Sequence, residues 1–78
     1  MTIKVLGSGC ANCQRLEANV RLVLDHKGIQ ANVEKVTDYA DILAYGVSST
    51  PALVIDEQVV LAGRVPSPQQ LETILTRP

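Results

Sequence analysis

The chain has 78 residues, 46% of them apolar, with two tyrosines and neither Phe nor Trp, so it suits one small globular domain, residues 1–78, with an aliphatic core. Seven basic and eight acidic residues leave a net charge of −1; neither sign gathers into a run of about five or more, which argues against nucleic acid as a partner, because phosphate binding needs a concentrated basic surface. No apolar run reaches the length of about 18 residues that a membrane span needs and no signal-peptide pattern surrounds Lys4, so no membrane partner and a cytoplasmic location are expected.

Taken in chain order, the elements follow one another with little spare chain. Thr2–Gly7 alternates around Ile3 and Val5, adds Leu6, and stops at Gly7-Ser8-Gly9, which predicts a short buried strand ending in a turn. From Cys10 or Ala11, apolar side chains recur as Cys13, Leu16, Val20, Val23 and Leu24, one face of a helix, with Glu17 one turn before Arg21. His26 and Lys27 near the negative end of the helix dipole, and Gly28 beyond them, predict the stop. Gln30–Val36 mixes polar and apolar residues, as an edge strand with one wet side does. Thr37 or Asp38 can cap a short second helix that carries Tyr39, Ile42 and Leu43 and closes at Gly46. Core packing or a hinge contact is the expected role of Tyr39 and Tyr45, and Tyr45 is also placed to meet a substrate because it precedes the 46–51 loop.

Ala52-Leu53-Val54-Ile55 is a continuous apolar run, the mark of a strand covered on both faces, and Asp56-Glu57-Gln58 reads as a hairpin turn returning through Val59–Ala62. Ser67 as cap, Pro68 at the first helical position and Gln70 three residues after the cap start a last helix with Leu71, Ile74 and Leu75 on one face. The order βαβαββα gives an α/β fold. A right-handed βαβ unit makes one parallel pair and the hairpin an antiparallel one, so a mixed four-stranded sheet with three helices is predicted. Reactive groups in such sheets collect beyond the carboxyl ends of parallel strands and at helix N-termini, where Cys10 and Cys13 fall.

These two are the chain's only cysteines, spaced CxxC. The thiolate is the reactive form, and a free cysteine, with a pKa of about 8.5, is mostly protonated at neutral pH. Unpaired N–H groups and the positive dipole end at the first helical turn would stabilise the anion on Cys10, while Cys13 follows one turn later at the start of the apolar stripe. This predicts an asymmetric pair, with Cys10 the exposed attacking thiolate and Cys13 the more buried thiol that resolves a mixed disulfide. A purely structural bridge is disfavoured, because closing a loop of about four residues restrains the unfolded chain little. Two thiolates can also hold Cu(I), which would make the chain a soft-metal carrier. A closed zinc site wants four ligands, and His26 stands at the far end of the helix from Cys10, so no metal ligand set is assigned beyond that alternative.

The opening MTIKVLGSGCANC resembles heavy-metal-associated domains, the small copper chaperones, but these carry Met two residues before the first Cys, where Ser8 stands, and their later half runs strand, strand, helix, strand. The CxxC after the first strand, Thr50-Pro51 in GVSSTPALVI and the LAGRVPS stretch after the fourth strand resemble the thioredoxin superfamily over nearly the whole chain. More narrowly, the chain is similar to small redox-active disulfide proteins of glutaredoxin size with a GxGCxxC opening.

That resemblance implies a thiol–disulfide oxidoreductase in which Cys10 is the catalytic nucleophile and Cys13 resolves, with a redox-active Cys10–Cys13 disulfide and no bound cofactor. It implies a cis Thr50–Pro51 bond against the disulfide, Thr50 backbone groups free to pair with an extended substrate segment, and Gly63 as a point of substrate approach. Implied partners are disulfide-containing protein substrates and, as electron donor, a flavin-dependent disulfide reductase or a small thiol. The same fold with cysteines that are not turned over, an interaction module, is a third alternative. Gly9 stands where thioredoxins carry Trp, Ala11-Asn12 replace Gly-Pro, and Lys4 takes the place of their buried strand acid. Whether Lys4 influences Cys13 depends on which way it points; if it does not point inward, a water or a substrate group has to assist Cys13.

Overall fold

The computed structural model describes residues 1–76, which run β1 Thr2–Leu6, α1 Ala11–Lys27, β2 Asn32–Val36, α2 Tyr39–Ala44, β3 Ala52–Ile55, β4 Gln58–Ala62 and α3 Pro68–Leu75. Arg77 and Pro78, the end of the expected 1–78 domain, lie outside the described residues. The strand order is β2-β1-β3-β4, with β1 parallel to β2 and antiparallel to β3, and β3 antiparallel to β4. The parallel β1–β2 pair needs a crossover between its strands, and the 17 residues of α1 supply it. The expected architecture is therefore the observed one. Among the described residues, no helix is long and apolar enough to cross a membrane.

Alternation along β1 sorts side chains between two layers. Ile3 and Val5 join Leu16, Val20, Leu53 and Leu71 in the larger core beneath α1 and α3. Leu6 joins Ile42, Val47, Ala52 and Val54 in a smaller core on the opposite face, under α2. The run Ala52-Leu53-Val54 is fully buried because β3 is an inner strand with helices over both faces. Each Leu or Ile enclosed in this way contributes about 1.5–3 kcal/mol relative to an exposed one. Helices α1 and α3 are also tied together by polar contacts. The Asn19 side-chain amide donates to the Pro66 carbonyl at 3.2 Å, and Lys27 meets Glu72 at 2.9 Å.

Element ends follow their local chemistry. Gly28 closes α1 in the left-handed region, with φ 65°, a conformation that costs a Cβ-bearing residue energy and glycine almost none. Asp38 caps α2 by accepting from the N–H groups of Ala40 and Asp41. Ser67 and Gln70 form a reciprocal capping box at the start of α3. Strand β2 starts at Asn32, later than the expected Gln30, because its pairing begins only where β1 offers a partner: Asn32 N–H donates to the Met1 carbonyl and Asn32 pairs with Thr2.

The hairpin turn is tighter than the sequence reading had it. Asp56 and Glu57 alone span it, with φ of 47° and 71°, and Gln58 already belongs to β4. A register shift between Leu53 and Val54 pairs Leu53 with Leu61 and Val54 with Val59, which turns Leu61 inward and leaves Val60 out of the ladder. Tyr39 corrects an expectation: it is 73% exposed, not a core residue, because a helix of six residues presents one side chain, Ile42, squarely to the sheet. Leu43, expected on the same apolar face, is also exposed.

Candidate active site

Cys10 stands at the N-cap of α1 and Cys13 in its first turn, and the two are joined as a disulfide with their Cα atoms 5.0 Å apart. Their surroundings differ. Cys10 is exposed, and its sulfur accepts a hydrogen bond from the Cys13 backbone N–H at 3.2 Å. That N–H is one of the orphan donors of the helix start, so it favours negative charge on the Cys10 sulfur once the pair is reduced. Cys13 is buried at 5% exposure. No acidic side chain lies in the first turn of α1 to oppose an anion there.

Gly7, the first residue of the loop after β1, is a packing requirement as well as a turn residue. A Cβ on it would collide with the Cys13 sulfur and lie 3.8 Å from the Thr50 Cβ. Thr50 and the disulfide thus meet across the same glycine. The Thr50–Pro51 peptide bond is cis, with Thr50 exposed and Pro51 buried. Gly63 joins this corner, since its N–H donates to the Pro51 carbonyl at 2.8 Å and a Cβ on it would press on the Ser49 Cβ at 3.1 Å. Residues from Cys10 to Gly63, far apart in the chain, are therefore brought to one end of the sheet: Cys10, Cys13, Thr50, Pro51 and Gly63.

A family model described as thioredoxin domain matches residues 1–76. The chain belongs to the thioredoxin family. A thioredoxin of Methanothermobacter thermautotrophicus is 40% identical over 76 residues, which cover 97% of this chain and 99% of that protein. A thioredoxin of Methanocaldococcus jannaschii is 32% identical over 72 residues, covering 92% of this chain and 83% of that one. With the CxxC disulfide at the head of α1, the chain is a thiol–disulfide oxidoreductase of the thioredoxin family.

Lys4, at the position of the strand acid of thioredoxins, does not face the disulfide. It projects to the α2 side of the sheet, where its ammonium donates to the Tyr45 hydroxyl at 2.8 Å and to Glu57 at 2.7 Å. Hydrogen bonds from Glu57 and Tyr45 hold the lysine above its ordinary proton affinity, and the same contacts hold the Glu57 carboxyl below its ordinary range. The Tyr45 hydroxyl in turn donates to Glu57. Tyr45 is half-buried against the smaller core, so it packs as expected and fastens α2 to the hairpin.

The charged residues that do approach Cys13 come from elsewhere. Glu17, one turn further along α1, accepts from Arg21 at 3.0 Å and meets Lys35 of β2 at 3.2 Å. Cys13, Glu17, Lys35, Val5 and Gly7 line one small cavity of about 60 Å³. Sequence reading had recognised Glu17 only as a helix partner of Arg21. The missing signal was the β2 register, which sets Lys35 beside Val5. Asn12 faces solvent and His26 stays exposed in the last turn of α1, as their positions in the sequence imply. Among the described residues, no three His, Cys, Asp or Glu side chains gather where a metal ion could be held.

Proposed function

We propose that the chain reduces protein disulfides with Cys10 as nucleophile and Cys13 as resolving thiol. The asymmetry of the pair carries this reading: an exposed sulfur that accepts a helix-terminal N–H, beside a buried one. Cys10 thiolate attacks one sulfur of the substrate disulfide, and the other sulfur leaves with the electron pair and takes a proton from solvent. Cys13 then gives up its proton and attacks the Cys10 sulfur. The bond from Cys10 to the substrate breaks, the Cys10–Cys13 disulfide forms, and two electrons have passed from the dithiol to the substrate.

Thr50, Pro51 and Gly63 serve as the substrate platform in this reading. A groove of about 210 Å³ beside them is lined by Ser8, Tyr39, Leu43, Val47 and Thr50. Its exposed Tyr39 and Leu43 supply an apolar bed for a side chain next to the substrate cysteine, and the Thr50 backbone supports pairing with an extended segment. The dithiol is regenerated by an external donor, a flavin-dependent disulfide reductase or a small thiol, so the chain itself carries no cofactor beyond its disulfide. The setting is cytoplasmic, where a reducing pool keeps such a pair turning over.

Cys10→Ser abolishes disulfide reduction, whereas Cys13→Ser accumulates mixed disulfides through Cys10, detectable by mass spectrometry under non-reducing conditions. Full turnover by Cys10→Ser would overturn the assignment, and trapping through Cys13 in place of Cys10 would reverse the two roles.

A further inference from the structure

We propose that the Glu17–Lys35 ion pair sets how readily Cys13 gives up its proton, with Glu17 keeping Cys13 a thiol while Cys10 is a thiolate and Lys35 limiting that bias. The proposal rests on Cys13 being the resolving cysteine.

Geometry supplies the first argument. Cys13 and Glu17 are four positions apart on α1, which makes them neighbours on one helix face. Lys35 reaches the same place from β2, and all three line the cavity behind the disulfide. At about 60 Å³ it exceeds what one water requires, and its lining is more apolar than polar, so the charges act on the sulfur across a small open volume and not through packed side chains.

Charge supplies the second. Burial opposes ionisation of Glu17, but hydrogen bonds from Arg21 and Lys35 outweigh it and hold the carboxyl below its ordinary range. Glu17 is therefore an anion at neutral pH. An anion next to a thiol disfavours its thiolate and a cation favours it. The side chain of Glu17 is 16% exposed and that of Lys35 61%, so solvent screens the lysine more and the glutamate has the larger effect. Arg21 lies a further turn along α1 and is 56% exposed, which makes it a partner of Glu17 more than of Cys13. β1 brings only Val5 to this cavity, the loop after it Gly7 and Gly9, α1 also Gln14 and the stretch after β2 Thr37, so Glu17 and Lys35 are the charged groups of its lining.

A consequence for turnover follows. Resolution requires the Cys13 thiolate, so its rate rises with the thiolate fraction, while the nucleophilicity of the sulfur falls as its proton affinity falls, with a Brønsted coefficient of about 0.4–0.5. A tenfold gain in thiolate therefore yields roughly a threefold gain in rate.

The test titrates Cys13 in the full chain carrying Cys10→Ser, by thiolate absorbance or by the pH dependence of alkylation. Adding Glu17→Gln should lower the Cys13 pKa by roughly half a unit to one unit, and adding Lys35→Met should raise it by less. Lys35→Arg, which keeps the cation, should restore the parent titration. With Cys10 present, Glu17→Gln should resolve mixed disulfides about twofold to threefold faster at neutral pH. No shift, or shifts in the same direction for Glu17→Gln and Lys35→Met, would overturn the proposal. If the titration moves as expected but resolution does not, the assignment of Cys13 as resolving cysteine fails instead.

Discussion

Each face of the sheet carries a strand lysine paired with a glutamate. On the α2 face, Lys4 of β1 meets Glu57 at 2.7 Å and Tyr45 at 2.8 Å. On the α1 face, Lys35 of β2 meets Glu17 at 3.2 Å. The closer pair does not face the disulfide and fastens α2 to the hairpin; the looser pair sits at the cavity behind Cys13. What separates them is the face of the sheet on which each lies, since only the Glu17–Lys35 pair lines the cavity that Cys13 also lines. The two faces also differ in weight, since the larger core lies under α1 and α3 and only a small one under α2.

The sharpest way to break this contrast is to open a cavity in each core. Leu16→Ala should cost about 2–5 kcal/mol in urea unfolding and Ile42→Ala should fall at or below the low end of that range, because the short α2 can settle onto the gap. Equal losses would show that the α2 face carries as much of the fold as the α1 face. Gly7→Ala probes the boundary between the faces. Its new Cβ must displace the Cys13 sulfur or the strand end, at about 1–3 kcal/mol for an overpacked site, and disulfide formation in redox buffer should weaken with it. Ser67→Ala removes half of the α3 capping box and should cost about 1 kcal/mol with no change in thiol chemistry.

The smallest effect is expected at Lys4 and Glu57, which are solvent-screened. Glu57 is held below its ordinary proton affinity, so its stabilisation is present above the usual carboxylate range and is lost as pH falls through the lowered value. Lys4 is held above its ordinary affinity, so its share persists at neutral pH and disappears only in strong alkali. Urea midpoints of the parent and Glu57→Gln should therefore differ slightly at neutral pH and converge in acid. Neither Glu57→Gln nor Lys4→Met should move the Cys13 titration, and a shift in either would erase the distinction between the two pairs.

Much of this was legible in the chain. The stripe Cys13, Leu16, Val20, Val23 and Leu24 is the buried face of α1, because helical periodicity is local and the start and stop signals at Cys10 and Gly28 are local too. The hairpin was legible as a turn, but not its two-residue length or the shift that leaves Val60 out of the ladder, since these depend on how β4 docks against β3. Tyr39 misled for a related reason: an aromatic side chain near Ile42 looks like core until the helix has a definite rotation over the sheet.

Sequence by itself determined the order of elements and the cysteine pair at a helix start, because spacing, capping and turn chemistry are properties of short segments; the link of that pair to Thr50-Pro51 came only as what the family resemblance implies. Tertiary structure alone decided which charges face the disulfide. Lys4 was the lysine that the family resemblance placed at the site, and the pleat of β1 turned it to the other face. Lys35 was an unremarked edge residue, and the parallel register of β2 with β1 carried it to Glu17 beside Cys13. A side-chain period of two makes such outcomes depend on register by a single residue, and register is fixed only when the sheet is assembled.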